Sequence, residues 1–222
     1  MLPWKTLATA AAPGGATMTL VQRGDTFVIR VDRLELMSSR MHGSEDALAT
    51  FACEGLEPKA RVLVGGLGMG FTLRAALDRL GPRARVDVVE LVPEIVEWNR
   101  GVLGPLARRP LEDARAKVLV ADVARVIAES PDTYDAILLD VDNGPAAISA
   151  PGNANLYGEH ALARTVRALT PGGVLAVWSA GDSQAFRRRI ERAGLEVRTR
   201  HVRAHGEKGP RHVVWVGRKA LR

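Results

Sequence analysis

Between Ala60 and Ser179 short apolar runs alternate regularly with helix-patterned segments, and one joint between them is almost bare of side chains. The runs RVLVG (61–65), RVDVVEL (85–91), AKVLVA (116–121), YDAILLD (134–140) and GGVLAVWS (172–179) read as strands. Helical patterns lie at 71–80, 93–103, 122–129 and 158–169. Strict alternation of this kind predicts a parallel sheet covered on both faces, because each crossover helix must lie against a face of the sheet. The pattern changes at the end. LEVRTRHVRA and GPRHVVWVGR are strand-like and separated by only a few polar residues, which predicts an antiparallel hairpin. The expected α/β architecture is therefore a seven-stranded sheet of five parallel strands plus a C-terminal hairpin.

Upstream, MTLVQRGDTFVIRVDRLELM (18–37) carries two β-like runs around a turn and predicts a small N-terminal β extension. SEDALATFACEGL reads as a short helix capped by Ser44, with Leu48, Phe51 and Ala52 on one side. These signals divide the chain into a flexible leader (1–17), a β-hairpin region (18–42) and a main α/β domain (43–222), whose strand exits are where a ligand is expected.

At 222 residues, 46% hydrophobic and 25% charged, the chain has the composition of a globular domain with one filled core. No apolar run approaches the ~20 residues that span a bilayer, so no membrane association is expected. Cys53 is the sole cysteine and excludes an internal disulfide, which suits a reducing, cytoplasmic compartment. The net charge of +6 is uneven: from Asp182 onward there are 12 basic and 4 acidic residues, against 19 and 21 before it. This basic segment is either an anion-facing patch, for instance for nucleic acid, or a solvated helix face. In FRRRIERAGL the second reading has Phe186, Ile190 and Leu195 facing inward and Arg187, Arg188, Arg189 and Arg192 facing water. His201, His205 and His212 lie in or near the hairpin without cysteines or a zinc-ligand spacing, so no metal is expected.

In open parallel sheets ligands bind beyond the C-terminal strand ends, near the point where strand order reverses. The first strand exits into GGLGMG, the second at Glu90, the third at Asp122 and the fourth at Asp140. A bare turn with three carboxylates around it suits a nucleoside. Glu90, twenty positions beyond Gly70, can accept hydrogen bonds from both ribose hydroxyls. Asp122 either accepts from an adenine amino group or caps the next helix. Gly66, Gly68 and Gly70 give G-x-G-x-G rather than the dinucleotide G-x-G-x-x-G, and no Gly-Lys-Ser/Thr follows to make a phosphate loop.

The glycine turn and closing hairpin resemble the Rossmann-like fold of S-adenosylmethionine-dependent methyltransferases. More narrowly, VLVGGLGMGFTLRAAL, VVELVPEIVEW, YDAILLDVDNGP, NLYGEHAL and LTPGGVLAVW, in this order, resemble the spermidine synthase (polyamine aminopropyltransferase) family. The resemblance implies a transferase without metal whose donor is decarboxylated S-adenosylmethionine or S-adenosylmethionine itself. It implies that Gly66, Gly68, Met69, Gly70, Glu90 and Asp122 surround the donor. Asp140, Asp142, Asn143 and Tyr157 would then serve a small-molecule amine, in a homo-oligomer. Two positions depart from the family pattern: Met69 stands where an aspartate usually holds the donor amine, and GSE (43–45) replaces Tyr-His-Glu, leaving Glu45 alone in correspondence.

Three functions stay open at this point. Overall resemblance favours aminopropyl transfer, with Asp140 orienting and deprotonating the amine. Met69 and the missing histidine favour methyl transfer to an unknown substrate. A non-catalytic nucleoside- or RNA-binding module is the third.

Overall fold

The computed structural model describes residues 2–12, 14–32, 34–141, 145, 156–205 and 208–221. The chain begins with an antiparallel meander, β1 (Lys5–Ala11), β2 (Thr17–Arg23), β3 (Thr26–Val31) and β4 (Leu34–Ser38), paired in sequence order. The segment expected to be a leader thus supplies an edge strand, with Lys5 to Ala11 paired against Gln22 to Thr17 and a register shift between Thr6 and Ala8. Its alternation was hidden by small residues: in LATAAA Leu7 is the one bulky apolar side chain, too little to mark an inward face. Trp4 adds an anchor, its ring lying under the guanidinium groups of Arg23 and Arg30 at 4.4 and 4.8 Å.

Helix α1 (Gly43–Cys53) follows, and then the alternating segment: β5 (Arg61–Gly65), α2 (Phe71–Arg79), β6 (Arg85–Glu90), α3 (Pro93–Arg100), β7 (Ala116–Val120), α4 (Val123–Ala128), β8 (Tyr134–Leu139), α5 (Glu159–Ala168) and β9 (Leu169–Ser179). Helix α6 (Gln184–Arg192) leads into the hairpin of β10 (Leu195–His205) and β11 (Lys208–Lys219). The seven strands lie in the order β10-β11-β9-β8-β5-β6-β7, with β5 to β9 mutually parallel and β11 antiparallel to both its neighbours. The expected architecture is present. Two local readings are corrected. Ser44 does not cap α1; His42 holds that position without a side-chain cap bond, and the Ser44 hydroxyl lies inside the first turn. Helix α3 stops at Arg100 because Gly101 and Pro105 break the pattern, and two 3-10 turns (Gly104–Ala107, Pro110–Glu112) continue to β7.

Each face of the sheet has its own apolar layer. On one, Leu48, Ala52, Val62, Val64, Leu73, Leu77 and Val214 join the inner side of the N-terminal sheet through Leu20 and Ile29. On the other, Leu63, Ile137, Leu139, Leu162, Leu175, Phe186 and Trp215 form a second cluster. Helix α6 behaves as a solvated helix: Phe186 and Ile190 are fully buried, while Arg187 pairs with Glu191 and Arg192 with Glu159. Arg189 donates to the Tyr157 carbonyl at 3.0 Å. Three of the four arginines on this helix are thus engaged within the protein.

Phe186 meets Trp215 edge-on at 5.0 Å and Tyr157 at 5.5 Å, so it ties α6 to both the hairpin and the segment leading into α5. Phe186→Ala is expected to cost about 3–5 kcal/mol in urea unfolding, as other buried aromatic truncations do. A surface substitution such as Arg188→Ala should leave the unfolding midpoint nearly unchanged.

Candidate functional site

Strand order reverses between β5 and β8. The chain runs outward through β6 and β7 and then returns to lay β8 against the other side of β5. Gly65 therefore pairs with Leu139, and the next residues, Gly66 and Asp140, leave the sheet side by side. Asp140 N–H donates to the Gly65 carbonyl at 2.9 Å, and Gly66 N–H donates to Val89 at 2.9 Å. Gly66 has φ +90°, and a Cβ there would come within 2.2 Å of the Asp140 carbonyl oxygen. Its bareness is demanded by the neighbouring strand. At Gly68 the corresponding space is filled by the Met37 thioether, and at Gly70 by Asn99 and Pro110.

Beneath this turn sits Glu90, buried at the end of β6. One carboxylate oxygen accepts from Leu67 N–H at 3.0 Å and the other from Val92 N–H at 2.9 Å. It therefore staples the glycine turn to the start of α3, and each oxygen retains a second lone pair for a further donor. Asn99 completes the turn from the other side: its Nδ2 donates to the Gly68 carbonyl at 2.8 Å and to Ile95 at 2.9 Å. Its Oδ1 is buried and meets no donor among the described residues. Sequence reasoning missed Asn99. The available signal was a single amide one turn beyond Ile95, on the inward face of a helix otherwise apolar there.

The Met69 side chain is fully buried in the first apolar cluster, and its N–H faces the Met37 sulfur at 3.2 Å. Asp122 caps α4, accepting from Ala124 N–H at 2.7 Å. Tyr157 is buried in the second cluster, edge-on to Phe186. Asp142 and Asn143 lie outside the described residues.

The structure brings together a pair of acids that are 95 positions apart in the chain. Asp140 accepts from the Thr72 hydroxyl at 2.5 Å. Burial nevertheless raises its carboxyl to about 6, the Thr72 bond acting in the opposite direction. Glu45, on the first turn of α1, is raised further, to about 8, first by burial and then by repulsion from Asp140. Its Oε2 accepts from Ser44 Oγ at 2.6 Å, and that hydroxyl lies 3.0 Å from Nδ1 of His212 on β11. The His212 ring packs edge-on against Trp178 at 4.8 Å, and burial lowers its pKa. At neutral pH the acid pair therefore holds one proton and one negative charge. A separate cleft of about 320 Å³, lined by His42, Asp46, Phe71, Arg74, Asp78 and Arg108 among others, lies on the outer side of α2. Its charges are mutually engaged: Arg74 and Arg108 both pair with Asp78.

Two outcomes follow from this geometry. Gly66→Ala should destabilise the fold by about 3 kcal/mol or more in denaturant unfolding, since it combines a left-handed backbone with a collision against β8. The second concerns Glu45. Native protein holds a proton that the unfolded chain releases near pH 4.5, so stability should fall as pH rises from about 4.5 to about 8. Glu45→Gln cannot ionise; thermal melts should show it matching the parent protein near pH 4.5 and exceeding it above pH 8.

Residues 41–190 match the model of the spermine/spermidine synthase domain. Polyamine aminopropyltransferase 1 of Streptomyces coelicolor is 31% identical over 171 residues, covering 76% of this chain and 29% of that protein. A polyamine aminopropyltransferase of Pyrobaculum calidifontis is 33% identical over 128 residues, covering 56% and 43%. The chain thus spans less than half the length of these relatives. Among solved structures, a spermidine synthase in complex with the transition state analogue AdoDATO superposes with a TM-score of 0.79 at 18% identity, over 98% of this chain and 75% of that one. Spermidine synthase from Thermotoga maritima gives 0.77 at 17% identity, over 98% and 74%. The fold is shared with these enzymes, and the domain match covers most of the sequence: the chain belongs to the spermine/spermidine synthase family.

Proposed function

We propose that this chain is an aminopropyltransferase that moves the aminopropyl group of decarboxylated S-adenosylmethionine to an amine. The observation that carries the reading is the pair Glu45 and Asp140 beside the glycine turn, holding one negative charge at the strand switch point. In the proposed complex the ribose hydroxyls use the spare lone pairs of Glu90, and the adenine lies toward Asp122. The sulfonium lies over Gly66 to Gly70. The site needs no acid for the leaving group, because a sulfonium departs as a neutral thioether. It needs a free amine in line with one carbon, and water kept out.

An alkyl ammonium has a pKa of about 10 and cannot attack until it loses a proton. Asp140, ionised above about pH 6, attracts the cation and accepts that proton. The nitrogen lone pair then forms the new N–C bond as the C–S bond breaks, and its electrons stay on sulfur. Thr72 holds the Asp140 carboxylate in a fixed orientation for this step.

A second reading, methyl transfer from S-adenosylmethionine, draws support from one observation. Met69, at the position from which the family usually holds the donor amine, is withdrawn into the core. Calorimetry with both sulfonium donors separates the two: tighter binding of the decarboxylated donor is the expected result, and binding of the carboxylated donor alone rejects aminopropyl transfer. Asp140→Asn should lower kcat about 10²- to 10⁴-fold while leaving donor affinity within a few-fold. The kcat/KM profile of the parent protein should fall on the acid side with a midpoint near 6.

A further inference from the structure

The reaction assigned to Asp140 leaves a proton behind. An ammonium and a sulfonium go in; a secondary ammonium, a neutral thioether and one proton come out. Asp140 takes that proton at the sheet edge, deep against β5, and must be cleared before the next turnover. We propose that Glu45, Ser44 and His212 form the outlet, passing a proton from the acid pair to the C-terminal hairpin. This inference rests on the amine-deprotonating reading of Asp140.

The geometry is a continuous three-group chain. Glu45 Oε2 and Ser44 Oγ are 2.6 Å apart, and Ser44 Oγ and His212 Nδ1 are 3.0 Å apart. Glu45 and Ser44 are buried, whereas His212 is only partly so, with Trp178 packed edge-on against its ring. A hydroxyl both donates and accepts, so the chain has two directions. With Glu45 protonated, its O–H donates to Ser44 and Ser44 donates to a bare Nδ1. With Glu45 ionised, Nδ1–H donates to Ser44 and Ser44 donates to the carboxylate. Passing from the first arrangement to the second moves one proton from Glu45 to the imidazole ring, and Nε2–H can then release a proton to water.

What drives the transfer is the coupling of the two acids. While Asp140 is ionised its charge helps keep the proton on Glu45. When Asp140 accepts the proton of the incoming ammonium, that repulsion ends and Glu45 holds its own proton less tightly than before. It releases its own proton through Ser44 to His212. The proton left on Asp140 then settles on Glu45, and the pair returns to one proton and one charge. Charged groups on the elements packed around α1 include Asp46 on α1 itself, Arg74, Asp78 and Arg79 on α2, Asp135 on β8, Glu196, Arg198, Arg200 and Arg203 on β10, and Arg211, Arg218 and Lys219 on β11. Of these, Asp46 alone acts on the Glu45 proton, weakly and in the same direction as Asp140. Asp46 is itself paired with His42.

The ring of His212 reports the direction of the chain, so the proposal has a test that requires no turnover. In ¹⁵N spectra of the full chain the neutral His212 ring should be the Nε2–H tautomer below about pH 8 and should change to Nδ1–H as Glu45 ionises. Glu45→Gln cannot ionise and should hold one tautomer throughout. A tautomer constant up to pH 10 in the parent protein, or an identical change in Glu45→Gln, overturns the outlet. With decarboxylated S-adenosylmethionine and 1,4-diaminobutane as probes, His212→Gln should lower kcat about tenfold with unchanged donor affinity. Added imidazole should restore part of that loss, which a merely structural defect would not allow. Parental kcat in His212→Gln beside an inactive Asp140→Asn also overturns the outlet. Parental kcat in Asp140→Asn instead removes the deprotonation reading on which the kinetic arm stands, and the tautomer measurement is unaffected by it.

Discussion

The approach of Gly66 to the Asp140 backbone sets the geometry on which everything else in the site depends. Parallel strands β5 and β8 diverge into connections on opposite faces, so their exits must pass within backbone contact of each other. Only a residue without Cβ fits at 66. That contact fixes Asp140 at the sheet edge, within reach of the Thr72 hydroxyl on the first turn of α2. Glu90 and Asn99 then pin the turn from below and behind, so three consecutive peptide groups at Gly66, Leu67 and Gly68 are held by named partners. Preorganisation of this kind lets a site meet its ligand with little ordering cost.

The N-terminal sheet contributes to the same turn. Met37, near the end of β4, places its sulfur against Gly68 and the Met69 N–H. A soft, flexible thioether is suited to filling an irregular gap where a turn meets a second sheet. The small sheet and the large one thus share one apolar layer, through Leu20 and Ile29 on one side and Leu48 and Val64 on the other. The glycine turn lies at their junction.

Electrostatics divide the acids of the sheet edge into two kinds. Glu90 and Asp122 have their charges satisfied by backbone N–H groups and act as fixed parts of the frame. Glu45 is buried and Asp140 half-buried, each with a single hydroxyl donor to its carboxylate, and the Asp140 charge acts on Glu45. Burial without full compensation is costly to the fold and is what keeps a proton mobile near neutrality. Placing that cost at the strand switch point is consistent with a site that handles protons rather than one that only binds.

Most of the large sheet was legible in the sequence because its signals are local. Apolar runs of five or six residues, separated by helix-length segments, identify RVLVG, RVDVVE and YDAILL as strands without reference to anything distant. The same locality placed Glu90, Asp122 and Asp140 at strand exits, and it put Phe186 and Ile190 inward on α6. What stayed hidden is what depends on residues far apart in the chain. Lys5–Ala11 is a strand because β2 pairs with it, its side chains, Leu7 aside, being too small or polar to show a face. Asn99 matters because α3 brings it under Gly68, and the coupling of Glu45 to Asp140 exists because α1 packs over β8. His212 joins Ser44 across 168 positions, a contact that exists only once the hairpin has closed beside β9. Period and composition determine which segments become strands and helices, since those preferences act over a few residues. Which side chains share a proton or a carbonyl was decided by tertiary packing, since only the folded sheet brings those atoms within hydrogen-bonding distance.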